Sequence, residues 1–247
     1  MRNIDNYTNN YSVQSFEDYQ VMYRRKKVLE QIRCFHPGSL LEIGVGLDPI
    51  FQYVEDVEFT IVEPSEKFYE NARKLSEVGY GGRVHCLQGF FEDIAEGLDK
   101  KFDMIICSSL LHEVEFPDKF LGAVSKVCNE NTVVHINVPN ANSLHRLLAL
   151  ESGIISNVKD KSRRNELLQQ QNVFDLDTLS QLVEKNGMHI IESGSYFIKP
   201  FTHRQMYAML EQGIIEEKVL DGFYYLEKYM PGLGSEIYVN CNKADEM

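Results

Sequence analysis

Along residues 39–140, short apolar runs alternate with amphipathic stretches, and this alternation limits the fold more than any other feature of the chain. The runs are SLLEIG, EFTIVEP, RVHCLQG, KFDMIICSS and NTVVHINVPN. They are short, and several are apolar through the centre, as strands covered on both faces must be. Between them, SEKFYENARKL carries Phe68, Ala72 and Leu75 on one helical face. FPDKFLGAVSKVC carries Phe120, Val124 and Val127 as a stripe. Strands alternating with helices predict a parallel sheet with right-handed crossovers. A chain of 247 residues suits one α/β domain with insertions.

The flanks read differently. Residues 1–14 are polar, rich in Asn and Tyr, and expected to be loose. From Ser15, the spacing of Phe16, Tyr19, Tyr23, Val28 and Ile32 predicts amphipathic helix up to Pro37-Gly38. Asp48-Pro49 reads as an N-cap followed by proline at the first helical position. ANSLHRLLALESG is helical in pattern, and KDKSRRNELLQQQ is polar. VFDLDTLSQLVEKNG is a helix that stops at Gly187. MHIIESGSYFI and SEIYVNC are strand-like, and residues 199–234 between them form a helical insertion rich in Met and Tyr.

The formal charge is −12, which disfavours nucleic acid as a partner because such affinity rests on neutralising phosphates. The tight basic run Arg24, Arg25, Lys26 and Lys27 is expected to be a solvated helix face. Of five cysteines, Cys86, Cys107 and Cys241 sit in β-like runs and read as small buried hydrophobes. The odd number and the absence of CxxC argue against a disulfide framework or a zinc site, so no metal is expected. MRNIDNYTNNYS has no apolar core of a signal peptide, and no run has the length of a membrane span. A cytoplasmic protein without membrane contact is the expectation.

The turn in LLEIGVGLDPIF carries the first chemical information. Gly44 and Gly46 match the start of a dinucleotide fingerprint, but Pro49 stands at its last position. Proline offers no N–H to an anion. Asp48 and Glu42 add negative charge where a pyrophosphate would rest. No Gly-Lys-Ser/Thr follows, which excludes a phosphate loop. Glycines flanked by acids suit a cationic, phosphate-free ligand approached closely by the backbone. S-adenosylmethionine has an ammonium and a sulfonium and no phosphate. Glu63, nineteen residues after Gly44, ends the second apolar run, where a carboxylate can accept both ribose hydroxyl protons.

With these residues assembled, the chain resembles a class I S-adenosylmethionine-dependent methyltransferase of the small-molecule type. The matching segments are LLEIGVG, TIVEP, VHCLQGFFED, FDMIICSSLLHEVEFPDKFL and INVPNANSLHR, in that order, and the resemblance spans residues 26–243. It implies a Rossmann-like α/β sheet of about seven strands. The sheet would be mostly parallel with an antiparallel C-terminal strand, with helices on both faces and a helical lid insertion. The expected division is an N-terminal helical cap over 1–36 and a methyltransferase domain over 37–247, with the lid at 199–234. The resemblance places Glu42, Gly44 and Gly46 at the methionine end of the cofactor. It places Glu63 on the ribose, Pro64 near the adenine, and Phe90, Phe91 and Glu92 beside the adenine. Ser108 and Ser109 would lie under the cofactor. Phe90 stands where many members carry an adenine-binding Asp, and Asp48 where a third glycine is frequent. S-adenosylhomocysteine would be the product. Each residue also has a plainer reading. The glycines could only shape a turn, Glu63 could be an exposed helix-start acid, and the two phenylalanines could be core.

The acceptor should sit beyond the C-terminal strand ends. LLHEVEF and NVPNANSLHR reach that place. His112 is the first candidate for a general base and His145 the second, because imidazole titrates near neutral pH. Relatives read LEHV where this chain reads LHEV, which shifts the histidine by one residue. Either histidine could instead be structural. Asn140 could hold the acceptor or cap the next helix, and His203 could enter from the insertion. CSSL stands where an amine-directed base methyltransferase would carry Asn/Asp-Pro-Pro-aromatic. A small hydroxylated metabolite or sugar, methylated on oxygen, is therefore expected, with the enzyme a monomer or homodimer. Tyr7, Tyr11, Tyr19, Met206, Tyr207, Met209, Tyr224 and Tyr225 could line the pocket or pack the lid. A catalytically silent methyltransferase-like binding protein is the alternative. A nicotinamide-dependent oxidoreductase is disfavoured by Asp48 and Pro49.

Overall fold

A computed structural model describes Ile4, Thr8 and residues 16–80, 82–161, 165–166 and 169–244. Tyr7 and Tyr11, with most of segment 1–14, lie outside the described residues. The apolar runs form one seven-stranded sheet. β1 (Ser39–Ile43), β2 (Glu58–Glu63), β3 (Val84–Gln88), β4 (Met104–Ser108) and β5 (Val133–Pro139) are parallel, in the order β3-β2-β1-β4-β5. β7 (Glu236–Lys243) runs antiparallel to β5, and β6 (Met188–Tyr196) closes that edge antiparallel to β7. The sheet matches the expected class, with β7 the reversed strand.

Helices cover both faces because the central strands are apolar on both. α1 (Glu17–Phe35) and α2 (Glu66–Ser76) bury Val28, Ile32 and Ala72 against Phe59, Ile61 and Ile106. On the other face lie α3 (Phe91–Ile94), α4 (Pro117–Val127) and α6 (Leu176–Lys185). They bring Phe91, Phe120, Val124, Leu179 and Val183 against Ile105, Val134 and Val239. A fully buried aliphatic or aromatic side chain contributes roughly 1.5–3 kcal/mol, so these stripes carry most of the packing energy. α5 (Leu144–Glu151) follows β5, and Asp175 and Thr178 form a capping box that starts α6.

The insertion folds as α7 (His203–Glu211) and α8 (Glu217–Tyr225). Met206, Leu220 and Tyr224 pack with Phe16 and Tyr23 of the α1 segment and with Tyr196, Phe197 and Tyr238. Tyr23 stacks on Phe197 with ring centroids 4.5 Å apart. Of the Tyr and Met side chains considered for the pocket, Tyr19, Met206, Tyr207 and Tyr224 pack in this lid cluster, and Met209 and Tyr225, like these four, line neither cavity of the cleft described below.

Two local expectations fail. Asp48-Pro49 starts no α-helix. Pro49 is extended (ψ 141°) and precedes a single 3-10 turn, Ile50–Tyr53. Asp48 is turned instead toward α1, where it pairs with Arg25 and accepts from the Tyr53 hydroxyl at 2.9 Å. The basic run is also not a solvated face. Arg24 reaches buried Glu236 with Nε 3.0 Å from Oε2, and Lys26 lies 4.5 Å from the Tyr224 and Tyr225 ring centres. Lys27 lies 4.7 Å from the Tyr238 ring centre. Cation–π and ion-pair partners from the far end of the chain draw these side chains inward.

Candidate active site

The strand order reverses between β1 and β4, and open parallel sheets bind ligands beyond the C-terminal strand ends at such a point. Two adjoining cavities of about 260 Å³ and about 360 Å³ lie there and share Ile4, Gly44, Pro64, Leu110 and Glu113. Every cofactor-site and catalytic residue expected from the sequence lines one of them.

The glycine turn is built for close approach. Gly44 (φ +75°) and Gly46 (φ +59°) both occupy the left-handed region, where other residues are strained. A Cβ on Gly44 would also sit 3.4 Å from Leu110 Cδ1. Glu42 is 4% exposed and accepts the Ile50 N–H at 3.1 Å. Burial raises its carboxyl to about 8, and the nearby charge of Glu63 adds to this. Glu63 is equally buried and accepts the N–H groups of Val45 at 2.9 Å and Ser65 at 2.8 Å. It is not an exposed helix-start acid. Those two bonds join the glycine turn to the α2 start.

The second cavity takes Phe90, Glu92, Pro64, Val62 and Phe116. Phe91 borders it but is core, 2% exposed and 5.8 Å from Phe120 between ring centres. Ser108 ends β4, and Ser109 takes a left-handed φ of +52°. Asn137 holds both, accepting the Ser109 N–H at 3.0 Å and donating to Ser108 Oγ at 3.0 Å. The set fits S-adenosylmethionine: two buried acids, Glu42 and Glu63, line the same cavity as the glycine turn, and the adjoining cavity is lined by Val62, Pro64, Phe90 and Phe116.

The first cavity also takes His112, His145, Asn140 and His203. His112 is 3% exposed, and its Nε2 lies 3.0 Å from Gln170 Nε2 and 3.7 Å from Glu113 Oε1. Its carbonyl accepts from Gln171 and Asn172, so it also pins the segment above it. His145 stands at the start of α5 with Nδ1 enclosed and without a hydrogen-bond partner among the described residues. Its pKa lies well below the imidazole norm, through burial first and then the charges of Lys199 and Arg146. It is neutral at pH 7. Asn140 is occupied otherwise. Its amide donates to the carbonyls of Gly232 at 3.0 Å and Gly234 at 2.8 Å, and its Oδ1 accepts the Asn142 N–H at 2.9 Å. It neither caps α5, which starts after Ser143, nor offers its amide to a ligand. Asn140→Ala should cost about 2–3 kcal/mol by stranding buried carbonyls, read as a lowered denaturation midpoint. Unchanged stability would exclude this latch.

Sequence reasoning missed the charged rim of the first cavity: Arg24, Glu236, Lys199 and Arg146, with Gln20 and Gln170. Glu236 is 1% exposed and accepts from Gln20 Nε2 at 3.0 Å, Arg24 Nε at 3.0 Å and the Tyr196 hydroxyl at 2.9 Å. The signal available was a lysine placed directly after the apolar YFI, and an arginine beside the histidine of SLHR.

Residues 14–193 match a family model described as a methyltransferase domain. A sequence comparison with curated proteins returned no match. Among solved structures, the plantazolicin methyltransferase BamL, in complex with a triazolic desmethylPZN analog and SAH, is 17% identical with a TM-score of 0.61. The alignment covers 93% of this chain and 88% of that one. A putative sarcosine dimethylglycine methyltransferase from Galdieria sulphuraria is 10% identical with a TM-score of 0.63, covering 90% and 86%. A possible histamine N-methyltransferase from Thermotoga maritima is 19% identical with a TM-score of 0.59, covering 96% and 98%. At these identities the likeness is one of fold. The fold, the cofactor cleft and the family match together make this chain a member of the class I S-adenosylmethionine-dependent methyltransferases.

Proposed function

We propose that the chain methylates a hydroxyl oxygen of a small metabolite, with His145 as the general base. The observation that carries this reading is the His145 imidazole. It is neutral at pH 7 and lines the same cavity as the glycine turn, with Nδ1 unclaimed by any hydrogen bond among the described residues. When bound, S-adenosylmethionine supplies an electrophilic methyl group. Glu42 and Glu63 would hold its cationic and ribose ends, Gly44 and Gly46 would admit it, and Pro64, Phe90, Phe91 and Glu92 would flank the base. Ser108 and Ser109 form the floor. His145 would take the hydroxyl proton as the oxygen attacks, and His112 would fix the segment above the acceptor. Residues 1–36 would act as a cap and 199–234 as a lid over the domain of 37–247, a reading supported by the aromatic packing between α1, α7 and α8. A small acceptor is supported by the modest cavity and by the BamL complex with a small-molecule analog.

Calorimetry with S-adenosylhomocysteine, and with NADH as control, tests the cofactor half. The acceptor half is tested by release of S-adenosylhomocysteine from a panel of hydroxylated metabolites. His145→Ala should lower kcat by about 10²- to 10⁴-fold with cofactor affinity kept, as loss of a general base does. His112→Ala with the larger loss would restore His112 as the base. Cofactor binding without turnover of any acceptor would favour the catalytically silent reading.

A further inference from the structure

Ser108 and Ser109, which line the first cavity, are tied to a line of polar side chains that crosses a largely apolar sheet. The strand register sets Ser108 of β4 beside Asn137 of β5, His135 of β5 beside Asn240 of β7, and Asn240 beside Glu192 of β6. His135 and Asn137 alternate along β5 and so share a face. Both are fully buried, as is Asn240, and none of the three lines either cavity. Buried polar groups cost stability unless each is hydrogen-bonded. These are bonded one to the next. Asn137 Nδ2 lies 3.1 Å from His135 Nε2, and His135 Nδ1 lies 2.7 Å from Asn240 Oδ1. Asn240 Nδ2 then donates to Glu192 Oε2 at 3.0 Å and to Gln31 Oε1 of α1 at 2.7 Å.

The two ends of this line impose the same direction on it. At the far end a carboxylate only accepts, so Asn240 turns its NH2 to Glu192 and its Oδ1 to His135. That puts the imidazole proton on Nδ1 and leaves Nε2 as an acceptor. At the near end a backbone N–H only donates, so Asn137 turns its Oδ1 to Ser109 and its NH2 to His135. This again requires Nε2 to accept. One neutral tautomer of His135 satisfies both ends, and burial keeps the ring neutral by pushing its pKa down to about 4. The near end is also where the backbone is strained. Ser109 has a left-handed φ of +52°, which only glycine adopts freely.

We infer that His135 is a positioning residue for the cleft: by holding the Asn137 amide in one orientation, it keeps Ser108 and Ser109 in the shape that receives the cofactor. The inference rests on the reading of this cleft as a methyl-transfer site. Without the Nε2 acceptor, the Asn137 amide can turn over and set its NH2 against the Ser109 N–H, donor against donor. The strained turn then relaxes, and the lining of the cleft shifts with it.

Calorimetry with S-adenosylhomocysteine on the full chain tests this. His135→Phe keeps a ring of similar shape without its nitrogens and should weaken binding by about tenfold, as loss of one buried hydrogen bond does. His135→Gln keeps one acceptor and one donor and should bind within about threefold of the wild type. Ser109→Gly takes a positive φ without strain, so in that background His135→Phe should cost less than about threefold. A residue that only supports the fold would lower the denaturation midpoint of His135→Phe and leave the dissociation constant alone. Unchanged affinity in folded His135→Phe, an equal loss in His135→Gln, or an equal loss in both Ser109 backgrounds would overturn the inference. If His135→Phe does not fold, NMR of the wild-type ring nitrogens near pH 7 decides. A proton on Nδ1 supports the positioning line, and a proton on Nε2 or on both nitrogens overturns it. Failure of S-adenosylhomocysteine to bind the wild type would remove the cofactor reading and this inference with it. Binding that His135→Phe leaves unchanged would remove the role of His135 alone.

Discussion

Glu42→Gln should make the ligand-free protein more stable and remove its affinity for the cofactor. Glu42 is buried and its carboxyl is raised to about 8, against an ordinary value near 4.5. The native state therefore keeps a proton that the unfolded chain releases. Stability from this group is fully present below the unfolded value and is lost as pH rises toward 8. At pH 7 the burden relative to a neutral isostere is about 3 kcal/mol, from roughly 2.5 pH units at 1.36 kcal/mol each. Gln keeps an oxygen for the Ile50 N–H and has no charge to bury. Denaturation at pH 7.5 should show the gain, and at pH 4 the gain should vanish. Cofactor binding is the other side of the same linkage. A cation seated beside Glu42 expels its proton, so binding at pH 7 should release close to one proton, measured as calorimetric heat that varies with buffer ionisation enthalpy. A variant that binds the cofactor normally, or heats independent of buffer, would remove Glu42 from the site.

Gly234→Ala should be among the most damaging single-methyl additions to this protein. A Cβ there would stand 2.4 Å from both the backbone N and O of Tyr196, and 2.8 Å from its carbonyl carbon. No rotamer relieves a collision with backbone. Retreat is blocked on all sides. The Gly234 N–H donates to Ser195 Oγ at 3.0 Å, its carbonyl accepts from Asn140, and the next residue pairs with Phe197 at 2.9 Å. The expected cost exceeds about 4 kcal/mol, in the range reserved for strained or overpacked sites, and soluble expression should fall with it. Gly222→Ala is the control. It lies inside α8, nothing occupies the space of its Cβ, and it should gain about 0.5–1 kcal/mol of helix propensity. Wild-type thermal stability in Gly234→Ala would disprove the close approach of β6 to the loop before β7.

The sheet was legible because its central strands are apolar on both faces and the intervening helices show a clear 3.6-residue stripe. That the candidate cofactor residues would meet in one cleft was legible because they sit on consecutive strand ends, where chain order dictates position. Asp48 was misread because local capping chemistry favours Asp-Pro, whereas Arg25 and Tyr53 claim its carboxylate. The basic run of α1 was misread because its partners are remote: Glu236 for Arg24 and Asp221 for Lys26. The charged rim of the first cavity suffered the same limit. His145 and Arg146 are adjacent in sequence, but Lys199 joins them only through the fold.

The Glu236 clasp also sets an order of assembly. Gln20 and Glu236, 216 residues apart, meet by a direct hydrogen bond. Closing so long a loop is entropically costly and slow, so such contacts are late events in folding. During synthesis the five parallel strands have emerged before Glu236 exists, while α1 still lacks the buried acid it must clasp. The nascent chain can therefore build the floor of its cleft early, but it acquires a wall on the α1 side only when the last strand is inserted. Completion of the α1 side of the cleft thus waits on β7, which also joins β6 to the sheet, so a truncation that removes β7 should lose both that wall and the edge of the core.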